Sequence, residues 1–258
     1  FKVFEAAQML KAYHVEFNVL TVVNKKTAPR ISRIYEQYRK WGFSYQQYIA
    51  CLDSLENDGR GGEYGLEPEV YGRFLIDLFE LWYMDYRKGR QPYIRQFENY
   101  IAILMGSYPD ACEQNGVCGL QNVVEADGSV YPCDFYVLDG YGIGNLNQNS
   151  FAEIYEKRAV SGFVENSRNQ NARCKNCRYY LVCRGGCRRN RVEEEQGQAV
   201  NCFCKSYQMF LTDVMTDCAE SQRNCHSEIK ETENEIYGRI LVCKKRNHAA
   251  LRGRIFLT

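Results

Sequence analysis

The sequence predicts an α/β fold with parallel strands, followed by a loop-rich domain that carries two four-cysteine sites. Three observations predict it. A strand, a helix and a second strand follow one another in the first fifty or so residues; two amphipathic helices occupy most of residues 67–106; and nine of the thirteen cysteines fall between Cys112 and Cys204. Strands joined through a helix run parallel, because only a crossover connection returns the chain to the same edge of the sheet.

In order along the chain, Val3, Phe4, Ala7 and Leu10 recur at helical spacing and predict a short amphipathic helix over 1–12. HVEFNVLTVVN follows, opened by His14, with Val15, Phe17 and Val19 alternating before the denser run Leu20, Val22 and Val23, which reads as a strand buried on both faces. Thr27 and Pro29 suit the start of a helix whose apolar positions are Ile31, Ile34, Tyr35 and Tyr38. SYQQYIACLD is the next strand, and Cys51 near its end reads as a small buried thiol. NDGRGGEYG lacks the GxxxxGK[ST] order of a phosphate cradle and reads as a surface loop. Glu67 and Pro68 open a helix running to Arg87 with a broad apolar stripe, and YIRQFENYIAILMG is a further helix ending at Gly106.

From Cys112 the texture changes to loops, glycines and cysteines, which sets domain boundaries at 1–107, 108–218 and a polar tail, 219–258. NVVEADGSVYPC is a hairpin, with Asp127 and Gly128 supplying the positive backbone dihedrals of its turn. Ser150 with Glu153 is a capping box for FAEIYEKRAV, and KSYQMFLTDVM is an amphipathic helix. His226 and His248 lie in the charged tail and read as exposed.

The cysteines carry the chemistry. Cys174, Cys177, Cys183 and Cys187 form CxxCx5Cx3C, a spacing that places them on no common helix or strand face, so they converge only if the loop wraps around something. Cys118 and Cys133 bracket the hairpin; with Cys112 and one cysteine of Asn201–Cys204, NCFC, they bring the total to eight, enough for two four-thiolate sites. Zinc and iron-sulfur clusters both take four cysteines in this way. The net charge of +1 gives no footprint for nucleic acid or an anionic membrane. No apolar run reaches the eighteen or so residues of a membrane span, and FKVFEAAQML is not ordered like an export signal, so a cytoplasmic setting is expected. There, reducing conditions favour metal binding over disulfides.

The motif Cys118, nine residues, Gly128, four residues, Cys133, then CxxCx5Cx3C and Cys204, resembles the SPASM domain, the auxiliary-cluster module of radical S-adenosylmethionine enzymes. VVEADGSVYPCDFYVLDGYGIGNL and CEQNGVCG are similar to the anaerobic sulfatase-maturating enzymes, and IACLDSL, LFELWYMDY and PYIRQFENY to the closing part of that family's barrel. The resemblance covers roughly residues 1–215. It implies a partial parallel (β/α) barrel of the radical S-adenosylmethionine type, last strands and helices only, ahead of the SPASM domain. It also implies two auxiliary 4Fe-4S clusters, one held by Cys112, Cys118, Cys133 and Cys187, the other by Cys174, Cys177, Cys183 and Cys204. Asp134 matches the family's general base, which takes a proton as a Cys or Ser of a partner sulfatase becomes formylglycine, the clusters accepting the electron. S-adenosylmethionine and a third 4Fe-4S cluster belong to the full-length family member, through a CxxxCxxC that these 258 residues lack. The start without Met, in a helical pattern, reads as the C-terminal part of such an enzyme, inactive on its own.

Two other readings stand beside this one. Another SPASM maturase, forming thioether or peptide cross-links, would share the cysteines. A zinc-clamped binding module would use CxxC pairs as clamps and the basic run CRGGCRRNR for contacts, although Arg184, Arg188, Arg189 and Arg191 read better as counter-charge to metal-bound thiolates.

Overall fold

The computed structural model describes residues 2–51, 62–194 and 198–223. The glycine-rich loop falls largely outside them, as do His226 and His248. The chain divides into two compact units, Phe1–Ser107 with the chain from Lys205 onward, and Tyr108–Cys204.

The first unit is mixed α/β. After α1 (Lys2–Ala12) the chain turns at His14, in the left-handed region at φ 55°, and enters β1 (Val19–Val23). A 3-10 turn, Ala28–Arg30, places Pro29 where its missing N–H costs nothing, and leads into α2 (Ile31–Trp41), which stops at left-handed Gly42. β2 (Tyr45–Ala50) then pairs with β1 in parallel, from Val19 opposite Gln46 to Val23 opposite Ala50. α3 (Pro68–Tyr86) returns the chain to β3 (Tyr93–Ile94), also parallel to β2, and α4 (Arg95–Leu104) follows. The sheet order is β1-β2-β3.

The strand from His14 is shorter than its sequence suggests and is not buried on both faces. Leu20 and Val22 are 55% and 50% exposed while Val23 is buried, so the alternation is that of a strand covered on one side. The segment from Tyr93 is first a two-residue strand and only then a helix.

The core of this unit is aromatic. Trp82 packs on Phe97 with ring centroids 5.5 Å apart and donates its indole N–H to the Pro92 carbonyl at 3.1 Å. The last described helix, α10 (Cys204–Arg223), sets Phe210 parallel to Phe97 at 6.1 Å and edge-on to Phe79 at 5.7 Å. Ser206 Oγ donates to the Pro68 carbonyl at 2.6 Å. A Cβ on Gly72 would stand 3.1 Å from the Ser206 Cα, so the missing side chain favours the close approach of α3 and α10. These contacts place the start of α10, from Lys205, with the first unit, its apolar face against α3 and α4.

The second unit has little regular structure. α5 (Cys112–Asn115) precedes a small antiparallel sheet of β4 (Val123–Val124), β5 (Ser129–Tyr131) and β6 (Gly144–Asn145). Only Gly128 in its first turn is left-handed, at φ 85°; Asp127 contributes its carboxylate, which accepts from the Ser129 amide and hydroxyl, each at 2.9 Å. α6 (Phe151–Ser161) starts at the expected capping box, and α7 (Phe163–Asn166), α8 (Ala172–Lys175) and α9 (Tyr180–Cys183) are single turns. β7 (Arg191–Glu194) and β8 (Gln198–Asn201) form a closing hairpin. One apolar cluster here, Val130, Ile143 and Ile154 with Leu146 against it, is small for a unit of this length. Among the described residues no helix is long and apolar enough to cross a membrane.

Candidate metal centres

The loops that carry the thiols are held by backbone geometry. Cys112 opens α5, which ends at Gly116 with φ 68°. A Cβ there would fall 2.0 Å from the Arg184 carbonyl oxygen, so the Cys112–Cys118 loop lies directly on the turn that follows Cys183. That turn runs through Arg184, Gly185 and Gly186, all left-handed, and this reversal is what lets Cys183 and Cys187 diverge. The Cys118 amide donates to Ser167 Oγ at 2.9 Å, and Ser167 is fully buried. Cys133, extended after Pro132, caps the 3-10 turn Asp134–Tyr136.

Arg191 ties these loops together. Its guanidinium donates to the carbonyls of Ser167, Gly116, Gly186 and Gly185, at 2.6, 2.6, 2.9 and 3.3 Å. Arg188 donates to the Phe163 carbonyl at 2.7 Å. These two arginines, read from sequence as counter-charge, thus do structural work on carbonyl oxygens. The sequence carried no signal for this, because a carbonyl partner leaves no trace in residue type.

The thiols fall into two neighbourhoods. Burial pushes the Cys112 thiol up, with Cys118, Glu113 and Asp134 adding to the rise. Cys133 is pushed up to about 12, mainly by burial, with Asp134 and Cys112 contributing. Cys187 is pushed up to about 12 by burial, opposed by the Arg189 amide, and feels Glu113, Cys112 and Cys118. The other neighbourhood centres on Cys183, pushed up to about 12 by burial and feeling Cys204, Cys174 and Cys177. Cys204, first residue of α10, is the NCFC member whose charge acts on Cys183; the Cys202 amide bonds to the Asn190 carbonyl at 2.8 Å.

Cys51, Cys202 and the eight candidate ligands form no disulfide among the described residues. No three His, Cys, Asp or Glu side chains among those residues draw together closely enough to hold a single metal ion. One tetrahedral zinc would set its sulfurs about 3.8 Å apart. Burial penalises the thiolates of Cys112, Cys133, Cys187 and Cys183, a penalty that a positively charged metal body taking the protons' place would offset. A set of buried thiols of this kind fits a thiolate-held iron-sulfur cluster. Asp134 is exposed, and its one hydrogen bond among the described residues is with Cys133 Sγ, at 3.3 Å.

Residues 117–178 match the SPASM iron-sulfur cluster-binding domain. Over 211 residues the chain is 42% identical to the cysteine-type anaerobic sulfatase-maturating enzyme of Clostridium novyi, covering 81% of this chain and 56% of that one. This chain belongs to the anaerobic sulfatase-maturating family of SPASM proteins. Within the family it is also 26% identical, over 230 residues, to the serine-type enzyme of Bacteroides thetaiotaomicron, covering 83% of this chain and 55% of that one. The solved structure of native anSMEcpe with bound AdoMet superposes with a TM-score of 0.78 at 36% identity, over 87% of this chain and 62% of that one. The same protein with AdoMet and the Cp18Cys peptide gives 0.77 at 37%, over 87% and 63%. The chain thus spans little more than half the length of its curated relatives.

Proposed function

We propose that these 258 residues form the electron-accepting part of a sulfatase-maturating enzyme, a partial (β/α) barrel followed by a domain with two auxiliary 4Fe-4S clusters. What supports this reading is that the thiols act on one another in two groups: Cys112 on Cys133, Cys112 and Cys118 on Cys187, and Cys174, Cys177 and Cys204 on Cys183. When bound, the clusters supply a one-electron acceptor for oxidation of a sulfatase side chain to formylglycine. Asp134 supplies the base: an exposed carboxylate next to a cluster ligand can take the substrate's proton beside the route by which the electron leaves. The higher identity to cysteine-type than to serine-type relatives, 42% against 26%, supports cysteine as the residue oxidised. No CxxxCxxC occurs here, so cleavage of S-adenosylmethionine would need a cluster held by residues other than these. A cytoplasmic site of action is part of the same proposal.

Iron, acid-labile sulfide and zinc per chain, measured after anaerobic reconstitution, test it. About eight irons and eight sulfides are expected; about two zincs without visible absorption would replace the proposal with a zinc-clamped module. Cys204→Ser should lose about half the iron, and Cys202→Ser none.

A further inference from the structure

Within the second unit lies a cleft of about 550 Å³, inside the ~300–1,000 Å³ range of small-ligand sites, that neither thiol set enters. Among the described residues it is lined by Lys175, Arg188 and Arg191 and by no carboxylate. Arg191 spends its donors on backbone carbonyls, as described above. Arg188 does not: beyond its one bond to Phe163, its Nε and Nη2 have no partner among the described residues, and it lies over the rings of Tyr136 and Phe163, 5.5 and 4.6 Å from their centroids. Lys175 is exposed at the cleft and makes no ion pair among the described residues. The Tyr136 side chain is a second, independent sign of a ligand. The residue is only 6% exposed, yet it lines the cleft and its hydroxyl has no hydrogen-bond partner among the described residues.

The rest of the lining narrows the ligand class. The carboxamides of Asn166 and Asn169 face the cleft unpartnered among the described residues, each offering a donor and an acceptor side by side, as a peptide unit does. The aromatic faces are taken. Arg188 covers Tyr136, and Tyr141 and Phe163 meet it edge-on at 4.7 and 5.0 Å, so the Tyr136 ring offers its hydroxyl rather than a face. The charge is not local accident either. Residues 166–192 contain eight Lys and Arg and no Asp or Glu, between Glu165 and the run Glu193–Glu195, in a chain whose net charge is +1. Such segregation steers anions toward this face.

We propose that the cleft binds an extended, acidic stretch of polypeptide, its carboxylate on the free side of the Arg188 fork and Lys175, its backbone on Asn166 and Asn169 and the Tyr136 hydroxyl. Arg188 suits this role because its planar donors match a carboxylate edge. The inference stands on the cleft alone and survives failure of the sulfatase reading.

The test is calorimetric titration of the cluster-loaded chain, under anaerobic conditions, with an acetylated and amidated Gly-Glu-Gly-Glu-Gly peptide, its Gln counterpart and inorganic phosphate. The Glu peptide should bind at least tenfold more tightly than the Gln peptide. Lys175→Gln, a change at an exposed position that the fold tolerates, should weaken it several-fold and flatten its salt dependence, and Tyr136→Phe should weaken it without changing that dependence. Equal binding of the two peptides, or binding of neither, overturns the proposal. So does phosphate that binds as tightly as the Glu peptide and displaces it, which would mark a small-anion site. A Lys175→Gln variant that shifts the cluster reduction potential but leaves peptide affinity untouched would also overturn it, since the cations would then serve only to balance the thiolates.

Discussion

At Gly116 one methyl group would be enough to force two thiol loops apart. The left-handed backbone alone makes Gly116→Ala cost more than about 1 kcal/mol, and the added Cβ would also meet the Arg184 carbonyl at 2.0 Å. The variant should bind less iron in both neighbourhoods at once, since the contact joins the Cys112 loop to the turn after Cys183; loss confined to one set would show that the loops are held independently. Asp134→Asn keeps the shape of the side chain and removes the base. If the proposed role holds, it should lower oxidation of a sulfatase-derived peptide at least a hundredfold in an assay reconstituted with whatever supplies the radical, with iron content unchanged. The cysteines were legible in the sequence because thiols at those intervals have few uses. Gly116 and Ser167 were not, since their meaning lies in partners, Arg184 and Cys118, far away along the chain.

Among elements, α6 offers a clean test of local chemistry. Ser150 and Glu153 exchange both capping-box hydrogen bonds, and Ser150→Ala should cost about 1 kcal/mol in a denaturant melt. The Ser150 amide and hydroxyl hold the Glu153 carboxyl below its ordinary value of 4.5. A depressed carboxyl contributes stability above the unfolded value and loses it as pH falls through the folded one. The advantage of the parent over Glu153→Gln should therefore be present at neutral pH and vanish as pH drops below about 4.5. Capping residues can be read in sequence because they act within four positions. β3 could not be, because two residues show no period; its existence is dictated by pairing with β2. The same is true of the open face of β1, where an apolar run reads as burial on both sides although Leu20 and Val22 stand exposed.

For the molecule as a whole, the small cluster around Val130, Ile143 and Ile154 makes the second unit depend on what its thiols hold. Chelation of the metal should abolish amide protection across 108–204 while the aromatic core around Trp82 keeps its own; uniform retention of protection would show that the loops fold without metal. The exposed apolar side of β1 should make the isolated chain self-associate as concentration rises, a shift visible by sedimentation. Phe210→Ala should destabilise the first unit by about 3–5 kcal/mol, because that ring sits against both Phe79 and Phe97.

The placement of α10 also fixes a sequence of events on the ribosome. The helix that covers Phe79 and Phe97 is translated only after the 97 residues of Tyr108–Cys204, a delay of roughly 5–20 s at ordinary synthesis rates. Through that interval the nascent α/β unit presents a bare aromatic groove. The portion made first is thus completed last, and a chaperone that shields the emerging chain would be acting on the groove between α3 and α4.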